Sequence, residues 1–140
     1  MRTSITLIFL FIGSYLFAQS KDELAIRDLM NKQSNAWNRG DLDQFMVGYW
    51  QNDSLKFIGK SGITYGWKNT LNNYKKGYPD TASMGKLEFN LIDIKKLSNK
   101  YYHIIGKWFL KRSIGDVGGY FTLLFEKVNG RWVIISDHSS

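Results

Sequence analysis

The last five residues of the sequence carry an acid, an imidazole and three hydroxyl groups, and they follow an apolar segment at residues 132–135. Asp and His are common proton-transferring groups in enzymes. A serine nucleophile would instead need Ser, His and Asp in one hydrogen-bonded chain. Consecutive strand residues point to opposite faces, so Asp137, His138 and Ser139 cannot form that chain as a unit. These residues therefore favour general acid–base chemistry by Asp137 or His138, the two catalytic candidates.

Alternation along the same segment indicates which candidate faces the interior. Trp132 is the bulkiest residue of the segment, so it marks the inner face. Every second residue of a strand lies on the same face, and counting in twos from Trp132 reaches His138. We therefore expect His138 to act in a pocket, while Asp137 steadies the strand end or the imidazole. A β-bulge near the strand end would exchange the two. The alternative is a solvated tail, although the Asn129-Gly130 hairpin should order it.

Other kinds of site are not favoured by the sequence. It contains two His residues, far apart, and no Cys, which argues against a metal site. Gly115 and the Gly118-Gly119 pair are typical of turns, and no Lys-Ser or Lys-Thr pair follows them as in a phosphate-binding loop. We expect neither a metal nor a cofactor.

Several amide and aromatic side chains lie on inward-facing stripes of the predicted elements. A buried amide needs hydrogen-bond partners, and a buried Tyr hydroxyl usually finds one. Such residues can fill a core, or they can line a pocket with polar tips. We predict that six of them converge on one ligand-binding cavity: Gln33, Trp37, Tyr49, Trp50, Tyr74 and Trp108.

The elements that must position these residues begin with helices. Apolar residues recur every three or four positions from residue 21 to residue 37, which predicts an amphipathic helix. Gly40 ends it, and Asp41 can cap a second, short helix. A short strand at residues 55–58, a Gly-rich turn, a second extended piece and a third helix at residues 67–79 follow.

The rest of the sequence predicts strands. The Asn129-Gly130 pair between two apolar segments is the strongest short hairpin signal. Helices followed by an antiparallel meander make an α+β fold, in which the helices pack on a curved four-stranded sheet. The four strands are predicted at residues 84–96, 101–113, 119–128 and 131–138.

The first 20 residues are typical of an export signal. Arg2 precedes an apolar segment at residues 5–17, and small residues follow at Ala18 and Ser20. The apolar segment is short for a membrane span, and no Cys follows that could carry a lipid. We therefore expect cleavage near residues 18–20, a domain at residues 21–140, a periplasmic or secreted location, and no stable membrane insertion after cleavage.

The net charge of +7 is basic without being extreme. The aromatic residues fall on core-facing stripes and do not alternate with the lysines, as they would on a nucleic-acid platform. Nucleic acid is therefore not an expected partner.

Five stretches of the sequence occur in this order: AWNRGDLDQFMVGYW, GITYGWKNTLNNY, GKWFL, GGYFTLLFEKVNGRWVII and SDHSS. Together they resemble the nuclear transport factor 2-like (SnoaL-like) superfamily, in its branch of small bacterial domains of unknown function. The resemblance implies a cone-shaped fold, often a homodimer, and an acid–imidazole pair at the end of the last strand. Relatives include isomerases, cyclases, dehydratases and binding modules, so the fold does not decide the chemistry.

Three functions remain open. The first is binding of a small, mostly apolar or aromatic molecule in the cavity. The second is an isomerase, cyclase or dehydratase with Asp137 or His138 as general acid or base. The third is a non-catalytic dimerisation or interaction module. We also expect a homodimer through the open face of the sheet, where Ile105 and Phe109 lie beside lysines and Val133 and Ile135 follow on the last strand.

Overall fold

The computed structural model describes residues 20–140, which form an α+β fold. The predicted export signal lies outside these residues except for Ser20. The elements, in chain order, are α1 (Lys21–Asn38), α2 (Leu42–Met46), β1 (Lys56–Gly59), β2 (Gly62–Tyr65), α3 (Trp67–Gly77), α4 (Thr81–Met84), β3 (Lys86–Lys96), β4 (Tyr101–Lys111), β5 (Val117–Val128) and β6 (Arg131–Ser139).

The sheet has six strands in the order β2-β1-β6-β5-β4-β3, so the prediction of four strands is wrong in number. The four long strands form the expected antiparallel meander. The two short pieces add to it because β1 pairs in parallel with the end of β6, with Phe57 opposite Asp137. This pairing covers the backbone of β6, which would otherwise be an open edge.

The N-terminus of α1 is capped by the side chain of Ser20. The Ser20 hydroxyl accepts a hydrogen bond from the Glu23 N–H at 3.1 Å, and Asp22 and Glu23 place negative charge at the positive end of the helix. Asp41 caps α2 as predicted, by accepting from the Gln44 N–H at 3.0 Å. The buried face of α1 carries Ile26, Met30, Gln33, Ala36 and Trp37.

Aromatic rings hold the helices together over the sheet. The Trp37 ring packs edge-on against Phe45 at 5.1 Å and against Tyr78 at 4.8 Å between ring centres. Tyr74 packs edge-on against Phe45 at 5.2 Å. Each such pair contributes about 0.5–1.5 kcal/mol beyond the burial of apolar area. The aromatic content therefore fixes α1, α2 and α3 relative to one another.

The inner face of the sheet follows the predicted alternation. Ile104, Gly106 and Leu110 are buried on β4, whereas Lys107 and Phe109 on the other face are exposed. Gly106 is required because a side chain there would collide with the ring of Phe121. The register of β3 shifts opposite this glycine, and such bulges bend a sheet.

None of the helices within residues 20–140 is long and apolar enough to cross a bilayer.

Candidate functional site

A cavity of about 830 Å³ lies between the helices and the inner face of the sheet. Five of the six predicted binding residues line it: Gln33, Trp37, Tyr49, Tyr74 and Trp108. Trp50 does not, so its predicted place in the cavity is wrong. Its main chain runs beside β6, with the Trp50 N–H donating to the Ile134 carbonyl at 2.9 Å. Because Tyr49 turns its side chain inward there, the next residue along the extended chain turns away.

A β-bulge near the end of β6 reverses which residues of the strand face the cavity. Leu124 of β5 pairs with Ser136, but the next residue, Phe125, pairs with Ile134, so Ile135 is the extra residue. Beyond this point Asp137 faces the cavity and is 3% exposed, whereas the His138 side chain is exposed to solvent. The predicted inward orientation of His138 is therefore wrong, since simple alternation from Trp132 does not continue through the bulge.

The Asp137 carboxylate is held by two hydroxyl groups. Tyr49 Oη donates to Oδ2 at 2.6 Å, and Ser139 Oγ donates to Oδ1 at 2.7 Å. Tyr49 comes from the segment after α2, and Ser139 follows Asp137 by two positions on the same strand face. The site is thus built from two parts of the chain that are far apart in sequence.

Burial raises the pKa of the Asp137 carboxyl to about 6, because the ionised form loses its hydration. The hydrogen bonds from Tyr49 and Ser139 and the charge of the nearby His138 act in the opposite direction and lower the pKa. A carboxyl group with this pKa changes its ionisation close to neutral pH. It can therefore accept or release a proton under ordinary conditions.

The two tyrosines beside Asp137 keep their protons. Burial raises the pKa of Tyr49 well above its usual range, and the negative charge of Asp137 raises it further. Burial and the same charge also raise the pKa of Tyr74, although hydrogen bonding with Tyr49 acts against them. Both phenols are therefore hydrogen-bond donors at the floor of the cavity.

The other predicted binding residues use their polar atoms within the fold. Gln33 Nε2 donates to the Phe45 carbonyl at 3.2 Å, and Trp37 Nε1 donates to the Met84 carbonyl at 3.0 Å. Trp108 Nε1 donates to the main-chain oxygen of Ser140 at 3.2 Å. These side chains therefore offer mainly apolar surface to the cavity, and their part in binding stays a prediction.

The chemistry of the site is that of one carboxyl group and its hydroxyl neighbours. Within residues 20–140, no group of three His, Cys, Asp or Glu side chains could hold a metal ion. Sequence reasoning did not select Ser139, Phe45 or Arg112 for the cavity, which all three line. Tyr78 shares a predicted helix face with Tyr74 that suits a pocket wall, and it also lines the cavity. Ser139 could have been found from its spacing of two from Asp137; Arg112 gave no signal because it lies in a turn.

Solved structures of other proteins share this fold. An NTF2-like protein of unknown function from Shewanella oneidensis MR-1 is 50% identical, with a TM-score of 0.80 over 83% of this chain and 96% of that one. The chain belongs to the NTF2-like superfamily. No family model and no curated protein sequence matches it.

Other solved structures share the fold at low identity. A domain of unknown function with a cystatin-like fold, from Nostoc punctiforme, is 16% identical, with a TM-score of 0.72 over 88% of this chain and 78% of that one. A ketosteroid isomerase-like protein from Erwinia carotovora atroseptica is 13% identical, with a TM-score of 0.66 over 87% of this chain and 97% of that one. At these identities the likeness is one of fold.

Proposed function

We propose that this NTF2-like chain binds a small, mostly apolar molecule in its aromatic-lined cavity, with a polar group of that molecule against Asp137 and Tyr49. The observation that carries the proposal is a buried carboxyl group at the floor of a cavity of about 830 Å³. Ligand sites commonly combine apolar walls with a few convergent polar groups. An ionised carboxylate has about four acceptor positions, and Tyr49 and Ser139 occupy two of them.

A second candidate is catalysis of proton transfer on the same molecule. The observation that favours it is the pKa of Asp137, which burial raises to about 6. Above this pH the carboxylate can remove a proton from carbon, as an isomerase or a dehydratase requires, while Tyr49 donates its hydroxyl proton to Oδ2 of the same carboxylate. Of the two catalytic candidates in the sequence, this geometry favours Asp137 over His138.

The experiment begins with mass spectrometry of small molecules that co-purify with the protein from its native host. The recovered molecule is then titrated against the wild-type protein, Asp137→Asn and the matched control Asp93→Asn, whose side chain is exposed on β3. We expect at least tenfold weaker binding for Asp137→Asn and unchanged binding for the control. Equal affinities in all three proteins would reject the proposed site.

The same titrations, followed over time, separate binding from catalysis. Conversion of the molecule by the wild-type protein, lost in Asp137→Asn, would support the enzyme. Binding without conversion would support the pocket protein. Recovery of no molecule, together with no binding of apolar probes, would leave the dimerisation or interaction module as the function.

We also propose that the chain forms a homodimer through the outer face of its sheet. Phe109 is 41% exposed and Tyr120 is 55% exposed on neighbouring strands of that face. Val133 cannot contribute, because it is buried within the protomer, so that part of the predicted patch is wrong. Light scattering at micromolar concentration should report a dimer; a monomer at every concentration would contradict this proposal.

Export to the periplasm or the medium is proposed on the pattern of residues 1–20. The hydroxyl of Ser20 caps α1 and lies 3.1 Å from the Tyr102 hydroxyl, which favours cleavage after Ala18 or Gln19 over cleavage after Ser20. Sequencing of the mature N-terminus from the native host should therefore begin at Gln19 or Ser20. An intact Met1 on protein in the cytosol would contradict export.

A further inference from the structure

The rim of the cavity carries positive charge. Lys60 lies in the turn between β1 and β2, Lys76 lies near the end of α3, and Arg112 follows the last residue of β4; all three line the cavity. Among the cavity-lining residues in the described part of the chain, Asp137 is the one acidic side chain, and it lies deep inside. The entrance is therefore cationic above apolar walls.

Arg112 differs from the two lysines because its guanidinium is held in place. Its Nε donates to the Gly115 carbonyl at 2.7 Å, and one terminal nitrogen donates to the Ser83 carbonyl at 3.4 Å. Asp116 bonds to the main-chain N–H of Arg112 at 2.8 Å and, across residues 20–140, no carboxylate pairs with the guanidinium. Three of its five N–H donors therefore have no acceptor in the described part of the chain.

Tyr78 lines the same cavity as this cation. Burial raises the pKa of Tyr78, while the positive charge of Arg112 lowers it. The Tyr78 ring is fixed by its edge-on contact with Trp37. A fixed guanidinium and a protonated hydroxyl in one cavity form a set of donors that suits an oxyanion such as a carboxylate.

We propose that the molecule bound in the cavity carries one oxyanion group, and that Arg112 and Tyr78 hold this group at the rim. The inference rests on the proposed binding function and adds the chemical class of the ligand, an apolar molecule with a single negative charge. Lys60 and Lys76 raise the local concentration of such anions at the entrance without fixed contacts.

The register of the sheet places Arg112 and Asp137 in different parts of the cavity. Asp137 lies opposite Leu123, which lies opposite Ile104 of β4, and Arg112 comes eight residues after Ile104 along the chain. Eight residues of straight strand span at most about 26 Å, and the bend of the sheet brings the two groups closer than this. A molecule that contacts both groups would therefore lie along the aromatic wall between them.

The test uses two fluorescent probes that differ by one charged group, anilinonaphthalene sulfonate and its sulfonate-free parent, phenylnaphthylamine. Both are titrated against the wild-type protein, Arg112→Gln, Tyr78→Phe and the control Lys111→Gln, which removes one positive charge from an exposed position next to Arg112. Circular dichroism and thermal unfolding of each variant report whether it is folded. The quantity compared is the ratio of the two affinities in each protein.

We expect the wild-type protein and Lys111→Gln to bind the sulfonate at least tenfold more tightly than the parent probe. In Arg112→Gln the ratio should fall to near one, through loss of sulfonate affinity alone, and Tyr78→Phe should lower it several-fold. If Arg112→Gln does not fold, Tyr78→Phe decides the matter, because it leaves the carbonyl contacts of Arg112 intact.

Two results would overturn the inference, and they differ in what they say about the binding function. If phenylnaphthylamine binds and the sulfonate binds no better, or if both variants keep the wild-type ratio, the cavity binds apolar molecules but has no anion site at Arg112. If neither probe binds to the wild-type protein, the proposed binding function fails together with the inference.

Discussion

Replacement of Asp137 by Asn should change how the stability of the protein depends on pH. Burial raises the pKa of Asp137 from its ordinary value of 3.8 to about 6 in the folded state. Its contribution to stability is therefore fully present below pH 3.8 and is lost as the pH rises through about 6, because the folded protein must then hold a buried negative charge. A difference of about two pH units corresponds to about 3 kcal/mol.

The assay is urea unfolding of the wild-type protein and Asp137→Asn between pH 4 and pH 8. Charged groups that do not act on Asp137 affect the two proteins alike, so the informative quantity is the difference between their free energies of unfolding. That difference should shift by about 2 kcal/mol in favour of Asp137→Asn between pH 4 and pH 8, because part of the full change falls below pH 4. A difference that stays constant across this range would show that Asp137 ionises as it would in water, and would refute its burial at the cavity floor.

Three further predictions concern the neighbours of this carboxyl group and the start of the domain. Tyr49→Phe should raise the pKa of Asp137 further, since it removes a hydrogen bond that favours the carboxylate, and the same urea series would detect the shift. His138→Ala should leave binding of phenylnaphthylamine within about twofold of wild type, because its side chain is exposed; a tenfold loss (about 1.4 kcal/mol) would contradict the orientation of Asp137. Ser20→Ala should lower the free energy of unfolding by about 1 kcal/mol through loss of the α1 cap, and no change in urea unfolding would mean that the cap is not formed in solution.

The fold was accessible from sequence because its elements carry local signals. The spacing of apolar residues gives α1, the Asp41 cap gives the start of α2, and the Asn129-Gly130 hairpin gives the last turn of the sheet. The pairing of β1 with β6 was missed because it is a contact between residues about 80 positions apart, such as Ile58 and His138, and no turn sequence encodes it.

Most of the cavity residues could be predicted from the sequence, but not which of Asp137 and His138 faces the cavity. Periodicity brought Gln33, Trp37, Tyr49 and Tyr74 to one cavity, since each repeats the buried position of its own element. The bulge at Ile135 has no signature in a run of Trp, Val and Ile residues, any of which fits either face of a strand. If the bulge is not taken into account, counting in twos from Trp132 turns His138 inward and Asp137 outward, which is the reverse of the structure.

The most direct test of Asp137 as the polar group of a binding cavity is carbon NMR of its carboxyl resonance as a function of pH, with and without phenylnaphthylamine. We predict a midpoint near pH 6 in the free protein, and a higher midpoint when the probe fills the cavity and removes water from the carboxylate. A midpoint near 4 that the probe does not move would contradict this account.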